Sequence, residues 1–231
     1  MDPRQLFFDD RFKDACAYCG NDADTRDHVP SKVLLDEPLP PDLPVVAACA
    51  SCNTGFSHHE RVVACLVDCL KCASTKATDL RPKVRRLLSE DPRLVMRMER
   101  AVRDARLLRE VGSVSVVVSK LSKGHVAFLE DPRLDAPSSV RVALRPDMSK
   151  ENLRDFDSLP PSELLPEIGT RAFINAVAAM SKPERGEPPA LIRAGWSEVQ
   201  TGRYRYAVIL DGAQPIARFV LSEFLFCEVI W

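Results

Sequence analysis

The sequence predicts an α+β fold, with a small metal-stapled module over about residues 1–75 and a mixed α/β region with antiparallel strands over 76–231. Three observations lead there. Two Cys-x-x-Cys pairs, Cys16/Cys19 and Cys49/Cys52, bracket a turn-rich, proline-rich stretch. Apolar residues between about 58 and 110 recur at helical spacing. Beyond them the period shortens, and β-branched runs bounded by turn residues read as strands to the C-terminus.

Taken in order, the first 56 residues are dominated by loop compositions such as "CGNDADTRD" and "LLDEPLPPDLP", with one short apolar run, Val45 to Ala48, leading into the second cysteine pair. Ser57 and Glu60 have the spacing of a capping box, which predicts a helix from about 58 to 73. Cys65 and Cys69 share its apolar face with Leu66 and Leu70, so Cys65, Cys69 and Cys72 read as small core hydrophobes. Cys227, in an apolar C-terminal strand, reads the same way. A second helical region covers about 79–110 and breaks at Pro92, with Leu94, Val95, Met98, Val102, Ala105 and Leu108 on one face. Strands are predicted over "GSVSVVVSKLSKGHVAFLE" and "SSVRVALRP", with His125 at a strand edge. A helix follows over 160–181, then strands turning at Thr201-Gly202 and Asp211-Gly212.

Composition narrows the function. The chain has 231 residues, 45% hydrophobic and 28% charged, enough to bury a core without disulfides. A formal net charge of -1 means that any nucleic-acid surface is local. Acids interrupt the N-terminal "MDPRQLFFDD", unlike a secretory signal, and no apolar run approaches the ~18 residues of a membrane span. The expectation is a cytoplasmic protein with no membrane partner, in which paired cysteines bind metal rather than form disulfides. A two-residue spacer aims both thiolates of a pair at one ion, and four thiolates complete a closed tetrahedral shell. Cys16, Cys19, Cys49 and Cys52 are therefore the expected ligands of a structural Zn²⁺.

Between the pairs stands Asp27-His28-Val29-Pro30, and Asn53 follows the last cysteine. This combination, over about residues 16–60, resembles the zinc-containing HNH endonucleases, whose core is a ββα-metal module. The resemblance implies hydrolysis of phosphodiester bonds, of DNA before RNA, leaving 5′-phosphate and 3′-hydroxyl ends. It implies His28 as general base, and Asp27 and Asn53 as ligands of a catalytic Mg²⁺ or Mn²⁺ that stabilises the leaving 3′-oxygen. His58, one turn from Asn53, is a further candidate ligand, though a helix start also accounts for it. Proteins of this kind often serve bacterial defence. Physical chemistry supports such roles, since a neutral imidazole accepts a proton near pH 7 and hard oxygens suit Mg²⁺. One departure stands out: Pro44 occupies the place of the middle Asn, with Asp42 nearby. For Asn53 the competing reading is a left-handed turn residue after the cysteine pair.

Basic residues concentrate outside the module. Lys and Arg number 7 against 12 acids over residues 1–72, but 11 against 6 over 73–110. Arg93, Arg97 and Arg100, with Lys32, are candidate nucleic-acid contacts, against the alternative of a solvated helix face. "GRYRY" (Arg203 to Tyr206) alternates cation and aromatic, which reads as sheet packing before base stacking. The region 76–231 is expected to select substrate, bind a regulatory protein or form a homodimer. The alternative to a nuclease is a non-catalytic zinc module that binds nucleic acid or protein.

Overall fold

The computed structural model of the chain describes residues 14–104, 112–129, 134, 136–159, 161–162, 170–172, 192–193, 195–210 and 215–231. Strands β1 (Thr25–His28) and β2 (Val45–Ala48) pair antiparallel, with Thr25 opposite Ala48 and His28 opposite Val45. Helix α1 (Ala50–Cys72) follows at once. It begins eight residues before the position that the capping box predicted, so Ser57 and Glu60 lie inside the helix and cap nothing. The cysteine pair supplies the cap instead: Cys49 Sγ accepts the Cys52 N–H at 3.4 Å, and the Cys49 carbonyl accepts the Asn53 N–H at 3.0 Å.

The expected break at Pro92 separates α2 (Pro82–Glu90) from α3 (Pro92–Arg103). Asp91 Oδ1 caps α3 by accepting the N–H groups of Arg93 and Leu94 at 3.0 and 3.1 Å. Leu94 and Met98 face inward as predicted, while Ala105 and Leu108 lie outside the described residues.

The strand predicted over 112–130 is a helix, α4 (Gly112–Leu129). Its buried residues Val114, Val117, Val118, Leu121 and His125 keep three- and four-residue spacing, which wins over the β-branched composition. His125 accordingly sits in the core and not at a strand edge.

Strand β3 (Ser139–Leu144) and helix α5 (Lys150–Asp157), capped by Ser149, come next. The helix expected over 160–181 lies mostly outside the described residues, but Pro161–Ser162 pair as a short strand (β4) with Ile192–Arg193 (β5). The chain closes with β6 (Ser197–Gln200), β7 (Tyr204–Ile209), β8 (Ile216–Leu221) and β9 (Leu225–Ile230). With β3 they form an antiparallel sheet in the order β3-β9-β8-β7-β6. The β6–β7 turn has Gly202 at φ +69, as Thr-Gly suggested, and Asp211-Gly212 is outside the described residues. No helix among the described residues is long and apolar enough to cross a membrane.

Helix α4 packs against α1, β2 and the large sheet, so one buried cluster runs from Cys16, Val29 and Val62 through Leu121 to Tyr204 and Phe219. Cys65, Cys69 and Cys227 are fully buried, as expected of core thiols, and burial pushes Cys65 and Cys69 up to about 12. Cys72 departs from that reading: it is exposed, and its thiol donates to the Asp79 carbonyl at 3.3 Å. A charge network adds a second tie between the halves of the chain. Asp68 accepts Arg81 Nε at 2.9 and 2.8 Å, and Arg203 reaches both Asp68, at 3.5 Å, and Asp36.

On β7, Tyr204 and Tyr206 point inward, whereas Arg205 pairs with Asp157 and Glu223. The tyrosines are thus sheet packing, with no ring available for base stacking. His125 stacks on Tyr206 with ring centroids 3.8 Å apart, and its Nε2 lies 2.6 Å from the Tyr204 hydroxyl. Burial first, and then the nearby Lys120 charge, depress its pKa from 6.5 to about 3. The unfolded chain therefore binds a proton that the folded chain refuses. This contribution is complete above pH ~6.5, and it erodes by about 1.4 kcal/mol per pH unit as pH falls toward 3. Urea midpoints measured between pH 4 and 6.5 should show that slope in the parent, and His125→Gln should flatten it.

Candidate functional site

The site grows from the two cysteine pairs. In the first, the Asn21 carbonyl accepts the Cys16 N–H at 2.7 Å, and the Cys16 carbonyl accepts the Gly20 N–H at 2.9 Å. Gly20 takes φ +75, the left-handed turn that suits glycine. The second pair forms the first turn of α1. Together they bring the four Sγ atoms within 4.8 Å of one another, with Cys19 and Cys49 at 3.8 Å. A Zn–S bond of about 2.3 Å in a tetrahedron gives sulfur–sulfur edges of about 3.8 Å, so the cluster fits a metal ion such as zinc. The Cys52 backbone N–H draws the Cys49 thiol down to about 7, whereas burial and the neighbouring sulfurs push the Cys52 thiol up.

Beside this cluster lies an open pocket of about 270 Å³. Its walls are Arg26, Asp27 and His28 of β1, Ser31 and Lys32 just beyond it, and Asn53, Ser57, Glu60 and Arg61 of α1. Those α1 residues share one helical face, at successive spacings of four, three and one. Asp27 and His28 therefore meet Asn53, 25 residues further along the chain, at one concavity. Asp27 is buried and His28 half-buried. Asn53 is not a left-handed turn residue: it sits inside α1, and its Nδ2 donates to Thr25 Oγ1 and the Arg26 carbonyl, both at 3.2 Å. That bond pair ties α1 to β1. The Pro44 carbonyl accepts the Val29 N–H at 2.9 Å, a backbone bond that ties the loop before β2 to the end of β1. His58 is exposed on α1 and is not among the pocket-lining residues.

The pocket floor holds what the sequence reading missed. Asp27 Oδ2 accepts the Tyr18 hydroxyl at 2.8 Å and forms an ion pair with Lys120 Nζ at 2.7 Å. Lys120 comes from α4, and its side chain is 1% exposed. It also donates to Ser31 Oγ at 2.7 Å and pairs with Glu60 Oε1, to which Ser31 donates as well. Burial first, and then the Asp27 charge, raise the Tyr18 pKa well above its usual value, keeping its hydroxyl a donor. Reading 112–130 as a strand hid Lys120, and reading Glu60 as a cap hid its partner. The signal existed: in helical register Lys120 falls on the buried face of Val117 and Leu121.

Gly124 lets α4 come this close. A β-carbon there would lie 2.7 and 3.0 Å from the two methyls of Val29 and 3.4 Å from the Tyr18 hydroxyl. Val29 is fully buried and stiff at χ1, so it cannot yield. Gly124→Ala should destabilise the fold by roughly 1–3 kcal/mol, although alanine alone favours a helix by about 1 kcal/mol. Chemical denaturation decides the sign.

Of the candidate nucleic-acid contacts, Lys32 is exposed at the pocket rim, near Arg26 and Arg61. Arg93 and Arg100 are exposed on α3, Arg97 is half-buried, and none of the three lines the pocket. No family model, curated protein or solved structure matches this chain.

Proposed function

We propose that the chain is a zinc-stapled, divalent-metal-dependent nuclease of the HNH kind, which hydrolyses phosphodiester bonds of nucleic acid, DNA before RNA. The carrying observation is the convergence of His28, Asp27 and Asn53 on one pocket beside the four-cysteine cluster. The β1–β2–α1 order of that segment supports the likeness to ββα-metal nucleases.

The donor set suits a hard cation such as Mg²⁺ or Mn²⁺. Both contacts to Asp27 fall on Oδ2, so neither uses its Oδ1, and the Asn53 bonds use Nδ2 and not the amide oxygen. When bound, such an ion supplies charge stabilisation for the scissile phosphate and the departing 3′-oxygen. The protein's own groups do the rest. His28 takes the proton of the attacking water as general base. Arg26, Lys32 and Arg61 hold the backbone phosphates along the rim, with the α3 arginines as a more distant contact. Asn53 fixes the distance between strand and helix, and the sulfur cluster fixes the helix start.

The test is cleavage of plasmid, single-stranded DNA and RNA by zinc-loaded protein in Mg²⁺ or Mn²⁺. Cleavage that EDTA stops and fresh Mg²⁺ restores supports the proposal. Absence of cleavage on every substrate overturns it in favour of the second reading, a non-catalytic zinc module. One observation favours that rival: Asp27 already has two partners, Tyr18 and Lys120.

A further inference from the structure

We infer that Lys120 is a positioning residue of the site, so that the region beyond the β1–β2–α1 segment completes the pocket rather than merely following it. This inference rests on the nuclease reading and extends it to a residue outside the resembling segment.

The geometry carries the argument. Lys120 is 2% exposed and does not line the pocket, yet its three partners, Asp27, Glu60 and Ser31, all do. Nζ donates to Ser31 Oγ and Glu60 Oε1 and forms an ion pair with Asp27 Oδ2 at 2.7 Å. Tyr18 and Phe56 close the cage from the side, with ring centroids 5.8 and 5.7 Å from Nζ and 5.0 Å from each other. Each carboxylate contacted by Lys120 thus has an oxygen anchored from behind, in addition to the Tyr18 bond on Asp27 and the Ser31 bond on Glu60.

Stability alone does not call for this arrangement. Buried ion pairs are often neutral or unfavourable compared with apolar residues of the same shape. This one costs the desolvation of three charges, and α4 already has Val117, Val118, Leu121 and Val126 to hold it in place. A cage directly behind a pocket has a further effect: it fixes where Asp27 presents its remaining oxygen, and it offsets one of two adjacent negative charges. Glu60, which has no role in the family resemblance, becomes the second anchor of that cage.

The experiment uses full-length, zinc-loaded protein. Lys120→Met/Glu60→Gln removes the cation and one anion together and leaves Asp27 its Tyr18 bond. Lys120→Arg keeps the charge but not the compact three-donor geometry, and serves if the first variant does not fold. Expected are an unchanged zinc content and cooperative unfolding. Mn²⁺ affinity without nucleic acid, read by electron paramagnetic resonance, should weaken about tenfold. The kcat for cleavage should fall roughly tenfold or more, while KM for the nucleic acid stays within about twofold because the basic rim is intact. A merely structural lysine would lower stability and leave Mn²⁺ affinity and kcat of the folded protein at parental values, and that result overturns the assignment. If the parent itself neither binds Mn²⁺ nor cleaves, the nuclease reading falls first and takes this inference with it.

Discussion

His28→Ala should abolish metal-dependent cleavage while leaving zinc content and unfolding temperature essentially unchanged. General-base catalysis contributes about 10²–10⁴-fold, and no other imidazole among the described residues is placed to replace it. Among the described histidines, His58 is exposed away from the pocket wall, His59 Nδ1 lies 3.0 Å from Ser113 Oγ, and His125 is sealed in the core. The loss should fall on kcat, because the phosphate-binding rim of Arg26, Lys32 and Arg61 is untouched. Single-turnover cleavage by parent and variant at saturating Mg²⁺ measures it directly. Equal rates in the two proteins would remove His28 from the chemistry and leave the zinc-stabilised binding module as the better account.

The second large effect concerns the sulfur cluster. Cys19→Ser/Cys49→Ser, or prolonged chelation of the parent, should unfold the segment from residue 14 to the start of α1 and leave the rest folded. Structural Zn²⁺ sites carry apparent binding energies of about 10–16 kcal/mol, all of it conditional on the folded geometry. Without that energy, the first cysteine pair keeps Cys16, Ala17 and Tyr18 in the core and the Tyr18 bond to Asp27 but few backbone bonds. Its backbone contacts are a few turn bonds, an isolated bridge between Ala15 and Asp22, and the Ala17 N–H to the Ala47 carbonyl at 3.0 Å. Helix α1 past Glu60 is different, because Val62, Val63, Cys65 and Leu66 are buried in the common core with α4. Amide hydrogen exchange should therefore show protection lost across β1, β2 and the first turns of α1, and kept in α1 beyond Val62, in α4 and in the large sheet. Uniform loss across the whole chain, or no loss at all, would contradict this picture.

Several parts of the fold and site were legible before any coordinates. Cys16, Cys19, Cys49 and Cys52 declared a cluster able to hold a metal ion because thiolate spacing within each pair is a local property, fixed by the two residues between them. Pro92 declared the α2–α3 break because a missing N–H acts on the preceding turn whatever surrounds it. The alternation of Arg and Tyr at 203–206 declared a half-buried strand because the side-chain period of two belongs to the backbone itself. These are all cases where the controlling interaction lies within a few residues along the chain.

Other parts were not, and each has a non-local cause. The α1 boundary moved because the cap is a cysteine thiol, held in place by a cluster that includes residues 30 positions earlier. Helix α4 was mistaken for strand because its valines favour a pleated surface in isolation, while contact with α1 and the large sheet rewards a three-and-four spacing. That Asn53 lies inside α1 and ties it to β1 was not legible either, because its partner Arg26 is 27 residues away.

On its own, then, the sequence determined the two cysteine pairs that form the sulfur cluster and the adjacent Asp27 and His28, which follow from residue type and short spacing. Only the tertiary structure decided that Lys120 lies under Asp27 and Glu60, 60 and more residues away in the chain. The reason is physical: a buried ammonium is tolerated only where several distant acceptors converge on it, and that convergence is a property of packing that no short stretch of chain encodes.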